Sequence, residues 1–190
     1  LQEAKQELIH FAEISRKGLG YARSAINSAN SDEFEEYRAK LVKYEEIADR
    51  IDYEIAAFLN AVSTEEISVA TSYKIKAMYK IIGELESLGD SGESISRILS
   101  RKNVHKKEFD AEALKKLNSM VDLVDDAYEA MIENLKAADI GTLEQISNAN
   151  AAEDRINNQR NYLRDEEIES IESGSRNYHT SVYYMDIVNE

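Results

Sequence analysis

The sequence predicts an all-α protein built as two tandem three-helix bundles, with the sixth helix cut short. Three observations carry that prediction. Apolar residues recur at steps of three and four along most of the chain, proline is absent from all 190 residues, and the second half repeats the first at an interval of about 106 positions. Steps of three and four return side chains to one face of a helix, whereas a half-buried strand alternates every second residue. Without proline, nothing obliges a helix to break, and a repeated interval of this length marks a repeated structural unit.

The first seam runs Leu1, Ala4, Leu8, Phe11, Ser15, Leu19, Ala22 and Ile26, with one polar member. Ser31-Asp32-Glu33 then reads as an N-cap followed by acids that the helix dipole favours. The second seam is unbroken: Phe34, Tyr37, Leu41, Tyr44, Ala48, Ile51, Ile55, Phe58, Val62. Ser63 and Glu66 have capping-box spacing and open the third helix. Its seam is Ile67, Ala70, Lys74, Ala77, Ile81, Leu85, Leu88, Gly92, Ile95, Leu99. The basic run Arg101-Lys102-Asn103-Val104-His105-Lys106-Lys107 closes it, where cations complement the C-terminal dipole.

Leu114, Leu117, Met120 and Ile132 repeat Leu8, Phe11, Ile14 and Ile26 and define the fourth helix. Thr142 and Gln145, just after Gly141, have the cap spacing for the fifth, in which Asp154-Arg155-Ile156 repeats Asp49-Arg50-Ile51. The sixth is expected to begin near Gly174 or Ser175, and Ile187-Val188-Asn189-Glu190 repeats Ile81-Ile82-Gly83-Glu84. It stops in mid-pattern at about half its counterpart's length, so the chain is expected to have been cut at Glu190. The organisation is therefore residues 1–103 as a first unit and 104–190 as a second, shortened one.

Composition narrows function. Acids number 37 against 23 bases, a net charge of −14, which opposes nucleic acid and anionic membrane surfaces. The absence of cysteine excludes disulfides, thiolate metal sites and cysteine nucleophiles. A mean hydropathy of −0.52, with no apolar run of bilayer length, leaves nothing expected to span a membrane. His10, His105 and His179 fit no HExxH pattern, and no GxSxG, Walker or GxGxxG motif is present. A four-helix dimetal enzyme needs a Glu-x-x-His pair from each of two helices. Only one such spacing, Glu7 to His10, occurs.

What remains is carboxylate spacing. Glu45-x-x-x-Asp49 lies on the second helix and Glu86-x-x-x-Asp90 on the third. Residues four apart share a helix face, and two acids so placed repel unless a cation sits between them. Antiparallel neighbours could offer all four to one hard or borderline ion at the surface, beside the core seam. In a chain this acidic, the same pairs also arise from composition alone. Gly83, Gly89 and Gly92 lie within the third helix, where each costs about 1 kcal/mol relative to alanine. Close approach of a neighbouring helix is the ordinary reason for such residues.

The segment Gly83-Glu84-Leu85-Glu86-Ser87-Leu88-Gly89-Asp90-Ser91-Gly92-Glu93-Ser94-Ile95 resembles the PhoU signature, roughly D-L-E-R-I-G-D-x-A-x-N-I. Glu45-Glu46-Ile47-Ala48-Asp49-Arg50-Ile51-Asp52 is similar to that family's E-x-x-x-D-x-I/V-D segment. The resemblance spans essentially the whole chain, and the opening Leu1–Ile9 looks most like the PhoU-like C-terminal domain of bacterial Na⁺/phosphate cotransporters. The resemblance implies a non-enzymatic regulatory domain of phosphate uptake on the cytoplasmic side of the inner membrane. Its implied partner is a membrane transporter domain in the same polypeptide or complex, with a homodimer as a further expectation. It also implies a surface metal ion or cluster, iron or zinc, on Glu45, Asp49, Glu86 and Asp90. The signature Arg is Ser87 here, the signature Asn is Ser94, and the second unit has Asn150-x-x-x-Asp154 where an acidic pair belongs. One metal site at most is therefore expected. The competing reading is a structural array of spectrin-like three-helix repeats, whose period is similar. Such arrays share one continuous helix across each junction and usually bury a tryptophan, whereas residues 101–110 read as a loop and tryptophan is absent.

Overall fold

The computed structural model describes residues 1–137 and 147–190, and within them the protein is all-α. In chain order the helices are α1 (Gln2–Ile26), α2 (Ser31–Ser63), α3 (Val69–Val104), α4 (Ala111–Ala137), α5 (Ser147–Glu172) and α6 (Tyr178–Asn189). Among the described residues no helix is long and apolar enough to cross a membrane. The cap expected at Thr142 and Gln145 lies outside the described residues.

Local chemistry sets the helix ends, and three differ from expectation. Asn30, rather than Ser31, caps α2: it accepts the Glu33 N–H at 2.9 Å, while the Glu33 carboxylate accepts the Ala29 N–H at 2.8 Å. Ser63 ends α2 instead of capping α3, and Ser68 caps α3 by accepting the Thr71 N–H at 3.1 Å. α6 starts at Tyr178 behind Asn177, and at 12 residues is a third the length of the 36-residue α3. Two helices stop by the same device. Lys107 N–H reaches back to Lys102 O and Lys106 N–H to Asn103 O, with Lys106 at φ 51°. Ser175 N–H reaches Ser170 O and Gly174 N–H reaches Ile171 O, with Gly174 at φ 73°. Both are Schellman stops, which place one residue in the left-handed region. The first separates α3 from α4, so no continuous helix crosses that junction.

α1, α2 and α3 pack against one another, as α4, α5 and α6 do, and α1 with α4 and α3 with α6 join the two sets. The apolar core divides along the helices rather than by repeat. One cluster joins Leu8, Phe11, Leu59, Met78 and Leu85 to Tyr128, Ile132 and Leu135 of α4. The other joins Ala22, Phe34, Leu41 and Leu99 to Leu117, Leu163 and Ile187 of the second set. The seam of α1 holds from Ala4 to Ile26, but those of α2 and α3 drift by one residue. Leu59 is fully buried while Phe58 is 39% exposed. In α3 the buried residues are Ile75, Met78 and Ile82, in place of Lys74, Ala77 and Ile81, and Leu88 is 38% exposed. In α2 the offset falls at the end of the helix, where the mismatch of about 20° per heptad between a seven-residue repeat and 3.6 residues per turn has accumulated; in α3 it falls at the start, and Leu85 and Leu99 are buried on the expected seam.

Polar pairs hold α1 antiparallel to α4. Lys136 Nζ meets Glu13 at 2.7 Å, Ser15 and Tyr128 share a hydrogen bond of 2.6 Å, and Arg16 grips both Asp125 oxygens at 2.7 and 2.8 Å. Further along, Arg23 meets Asp122 at 2.6 Å, and the Asn27 and Asn118 amides exchange hydrogen bonds. Burial pushes the Tyr128 hydroxyl up to about 12, and the Arg16 hydrogen bond holds Asp125 below the usual aspartate range.

Candidate functional site

Helices α2 and α3 carry the acids singled out by spacing. Glu45 follows the buried Leu41 by one turn and is half-buried, while Asp49, on the next turn, is exposed. On α3, Glu86 and Asp90 are exposed and Glu93 is half-buried. Burial first, then the charge of Glu93 and a carboxyl–carboxyl hydrogen bond with it, then the charges of Asp49 and Asp90, raise Glu45 above the ordinary glutamate value. Burial and crowding by neighbouring carboxylates both disfavour the charged form of Glu45. The structure thus brings Glu45, Asp49 and Asp90 under mutual influence and adds Glu93. Glu86 is not among the groups acting most strongly on Glu45. Glu93 stands seven residues after Glu86, one heptad along the same stripe, so only the crossing of the two helices selects it.

As placed, these carboxylates do not form a ligand set. Among the described residues, no group of three or more His, Asp or Glu side chains is arranged to hold a metal ion. The glycines give a similar result. A Cβ at Gly83 or Gly89 would meet nothing within 4 Å, and one at Gly92 would only touch Leu41 at 3.6 Å. Close helix approach therefore accounts for neither Gly83 nor Gly89. Gly89 and Gly92 instead border a partly open cavity of about 350 Å³ between the two sets of helices, with a mainly apolar wall. Sequence periodicity gave no sign of it, because its walls come from six helices that only the tertiary arrangement assembles.

A second polar cluster ties α4, α5 and α6 together. Arg176, on the turn after α5, meets Asp110 at 2.6 Å, Glu112 at 3.2 Å and the buried Glu167 at 3.6 Å. Glu167 also accepts a hydrogen bond from Ser181 Oγ. Lys116 meets Glu112 at 2.9 Å and Glu166 at 2.8 Å. Burial alone would lower Lys116, but its hydrogen bonds to Glu166 and Glu112 outweigh that and hold the ammonium above its ordinary value. These ions are paired within the fold and orient three helix ends, which is a structural role. The three histidines are exposed; His105 hydrogen-bonds with the Tyr183 hydroxyl, His10 lies near Glu13, and the His179 ring meets that of Tyr178 edge-on.

Set against protein-family models, curated proteins and solved structures, the chain matches none significantly. The class that fold and site define is an all-helical acidic protein with a carboxylate cluster across α2 and α3 and an apolar cavity beside it.

Proposed function

We propose that this chain is a PhoU-like regulatory domain of phosphate uptake, acting without chemistry of its own. In this reading it works from the cytoplasmic side of the inner membrane, joined to or complexed with a Na⁺/phosphate cotransporter. One observation supports it most. The two segments that carry the resemblance, residues 45–52 and 83–95, lie on neighbouring helices α2 and α3, and their acids act on one another through Glu45. A surface that gathers negative charge in this way responds to cations and to protonation, which is compatible with a regulatory role. The metal part of the reading would require Glu86 to join Glu45, Asp49 and Asp90, a rearrangement from the positions seen.

Sodium-driven uptake of radiolabelled phosphate, measured in vesicles of the cotransporter with and without this chain attached, tests the proposal. The expected result is a change in uptake, or in its response to phosphate supply, on removal of the chain. Unchanged uptake under both conditions overturns the reading and favours a structural array. A melting series with iron(II), zinc, nickel or magnesium at millimolar levels tests the metal part separately. A rise that Asp90→Asn abolishes supports it, and no rise removes it.

A further inference from the structure

Charge divides α3 at Gly83. Residues 67–83 hold Lys74, Lys76 and Lys80 and no acid, although the chain as a whole carries −14. Residues 84–96 hold Glu84, Glu86, Asp90 and Glu93 and no base. Val69, Tyr73, Lys76, Lys80, Gly83 and Asp90 are all exposed, and their steps of three, four and seven set them on one stripe of the helix. Val69 is 73% exposed and Tyr73 65%, so the basic half of this stripe also presents apolar surface to solvent. Among the described residues, the side chains of Lys76, Lys80, Glu86 and Asp90 make no ion pair.

Gly83 itself has no use within the chain. A Cβ there would meet nothing within 4 Å, yet glycine weakens a helix relative to alanine. An exposed glycine in mid-helix gains a purpose where another backbone comes close.

Turned end for end about Gly83, α3 is complementary to itself. A two-fold axis at that residue sets Lys80 against Glu86, each three positions from it, and Lys76 against Asp90, each seven away. Each such pair then occurs twice, as in any isologous contact. Farther out, Tyr73 falls against Glu93 and Val69 against Arg97, whose long stems cover apolar surface. A partner helix of one charge would match half of the face and be repelled by the other half. An anionic bilayer would meet the same conflict at Glu84, Glu86, Asp90 and Glu93.

We propose that this face of α3 receives a second copy of the chain, packed antiparallel across a two-fold axis at Gly83, with Lys76 and Lys80 of each copy against Asp90 and Glu86 of the other. The contact gives Glu86, which stands apart from Glu45, a partner. It also brings a cation to Asp90, one of the charges that crowd Glu45. The inference is independent of the transport reading, since it rests on α3 alone.

Sedimentation velocity of the intact chain, from micromolar to millimolar concentration, tests it. Wild type is expected to reach a dimer. Lys76→Glu with Lys80→Glu, and separately Glu86→Lys with Asp90→Lys, are each expected to weaken dimerisation at least tenfold, because like charges then meet. The second variant carries less net negative charge, so overall repulsion between copies predicts the opposite result for it. Mixing the two variants is expected to restore a one-to-one dimer, since every pair across the axis is again of opposite sign. Lys76→Ala with Lys80→Ala, expected to weaken the dimer several-fold, replaces the first reversal should that melt poorly. The chain has no cysteine, so one introduced thiol reports the axis. Gly83→Cys is expected to form an intermolecular disulfide on mild oxidation, and Gly20→Cys, exposed on α1, is not. A monomer at millimolar concentration, a dimer indifferent to both reversals, or a mixture that forms no dimer overturns the proposal. So does equal cross-linking of the two cysteine variants. A monomer that floats with phosphatidylserine vesicles, and ceases to when Lys76 and Lys80 are reversed, assigns the face to a membrane and likewise overturns it.

Discussion

The two repeats share a residue pattern and differ in depth. Asp49-Arg50-Ile51 and Asp154-Arg155-Ile156 occupy matching turns of α2 and α5, yet Ile51 is buried and Ile156 is half-buried beside the cavity. The two stretches share Asp-Arg-Ile and then diverge, the buried Ile55 having Arg160 as its counterpart, and the third helices differ as well: α3 has 36 residues, and α6, which runs to the end of the sequence, has 12. The comparison teaches that periodicity selects the face a helix turns inward, whereas neighbouring helices decide how far that face is removed from water.

The largest expected effect tests this directly. Ile51→Ala should cost about 3 kcal/mol in urea unfolding, the usual range for truncating a buried isoleucine, and Ile156→Ala about 1 kcal/mol or less. Equal losses would mean the two repeats are equally well covered. On the same logic Ile82→Asp, a buried position, should unfold the protein, while Ile81→Asp, half-buried, should be milder.

Next in size is the joint between the repeats. A double-mutant cycle on Arg16 and Asp125 should return about 1 kcal/mol of coupling, because the pair is bidentate but each side chain remains about a third exposed. Coupling near zero would leave the joint to its apolar contacts alone.

The two Schellman stops offer a smaller contrast. Lys106 and Gly174 both hold positive φ. Lys106→Gly should stabilise by up to about 1 kcal/mol and Gly174→Ala should destabilise by about 1 kcal/mol, because a Cβ is strained in the left-handed region. Thermal melting of both variants measures the difference.

The smallest effect is the most specific to the candidate site. Glu45 titrates above the ordinary glutamate value, so the stability it contributes is complete below its unfolded pKa and is lost as pH rises through its folded pKa. Glu45→Gln should therefore raise stability at pH 7, with the gain vanishing below about pH 4. Asp125 has the opposite sign. Its pKa is depressed, so its contribution is present above the unfolded value and lost as pH falls through the folded one. Asp125→Asn should lower stability at pH 7 and converge with wild type in acid. Parallel pH profiles for the two variants would contradict the arrangement around Glu45.

By itself the sequence determined the helical class, the order of the helices, the seam of α1 and the exposed position of Asp49, Glu86 and Asp90, whereas Glu45 is half-buried. All of these follow from interactions within one helix: step length, the absence of proline, and charge kept off the apolar stripe. Tertiary structure alone decided the one-residue drift of the buried stripe in α2 and α3, which depends on how long straight helices cross. It chose Glu93 as the carboxylate against Glu45, matched Arg16 with Asp125 across 109 positions, and left a cavity bordered by helices of both repeats. Those outcomes rest on distances between elements far apart in the chain, and no local spacing encodes them.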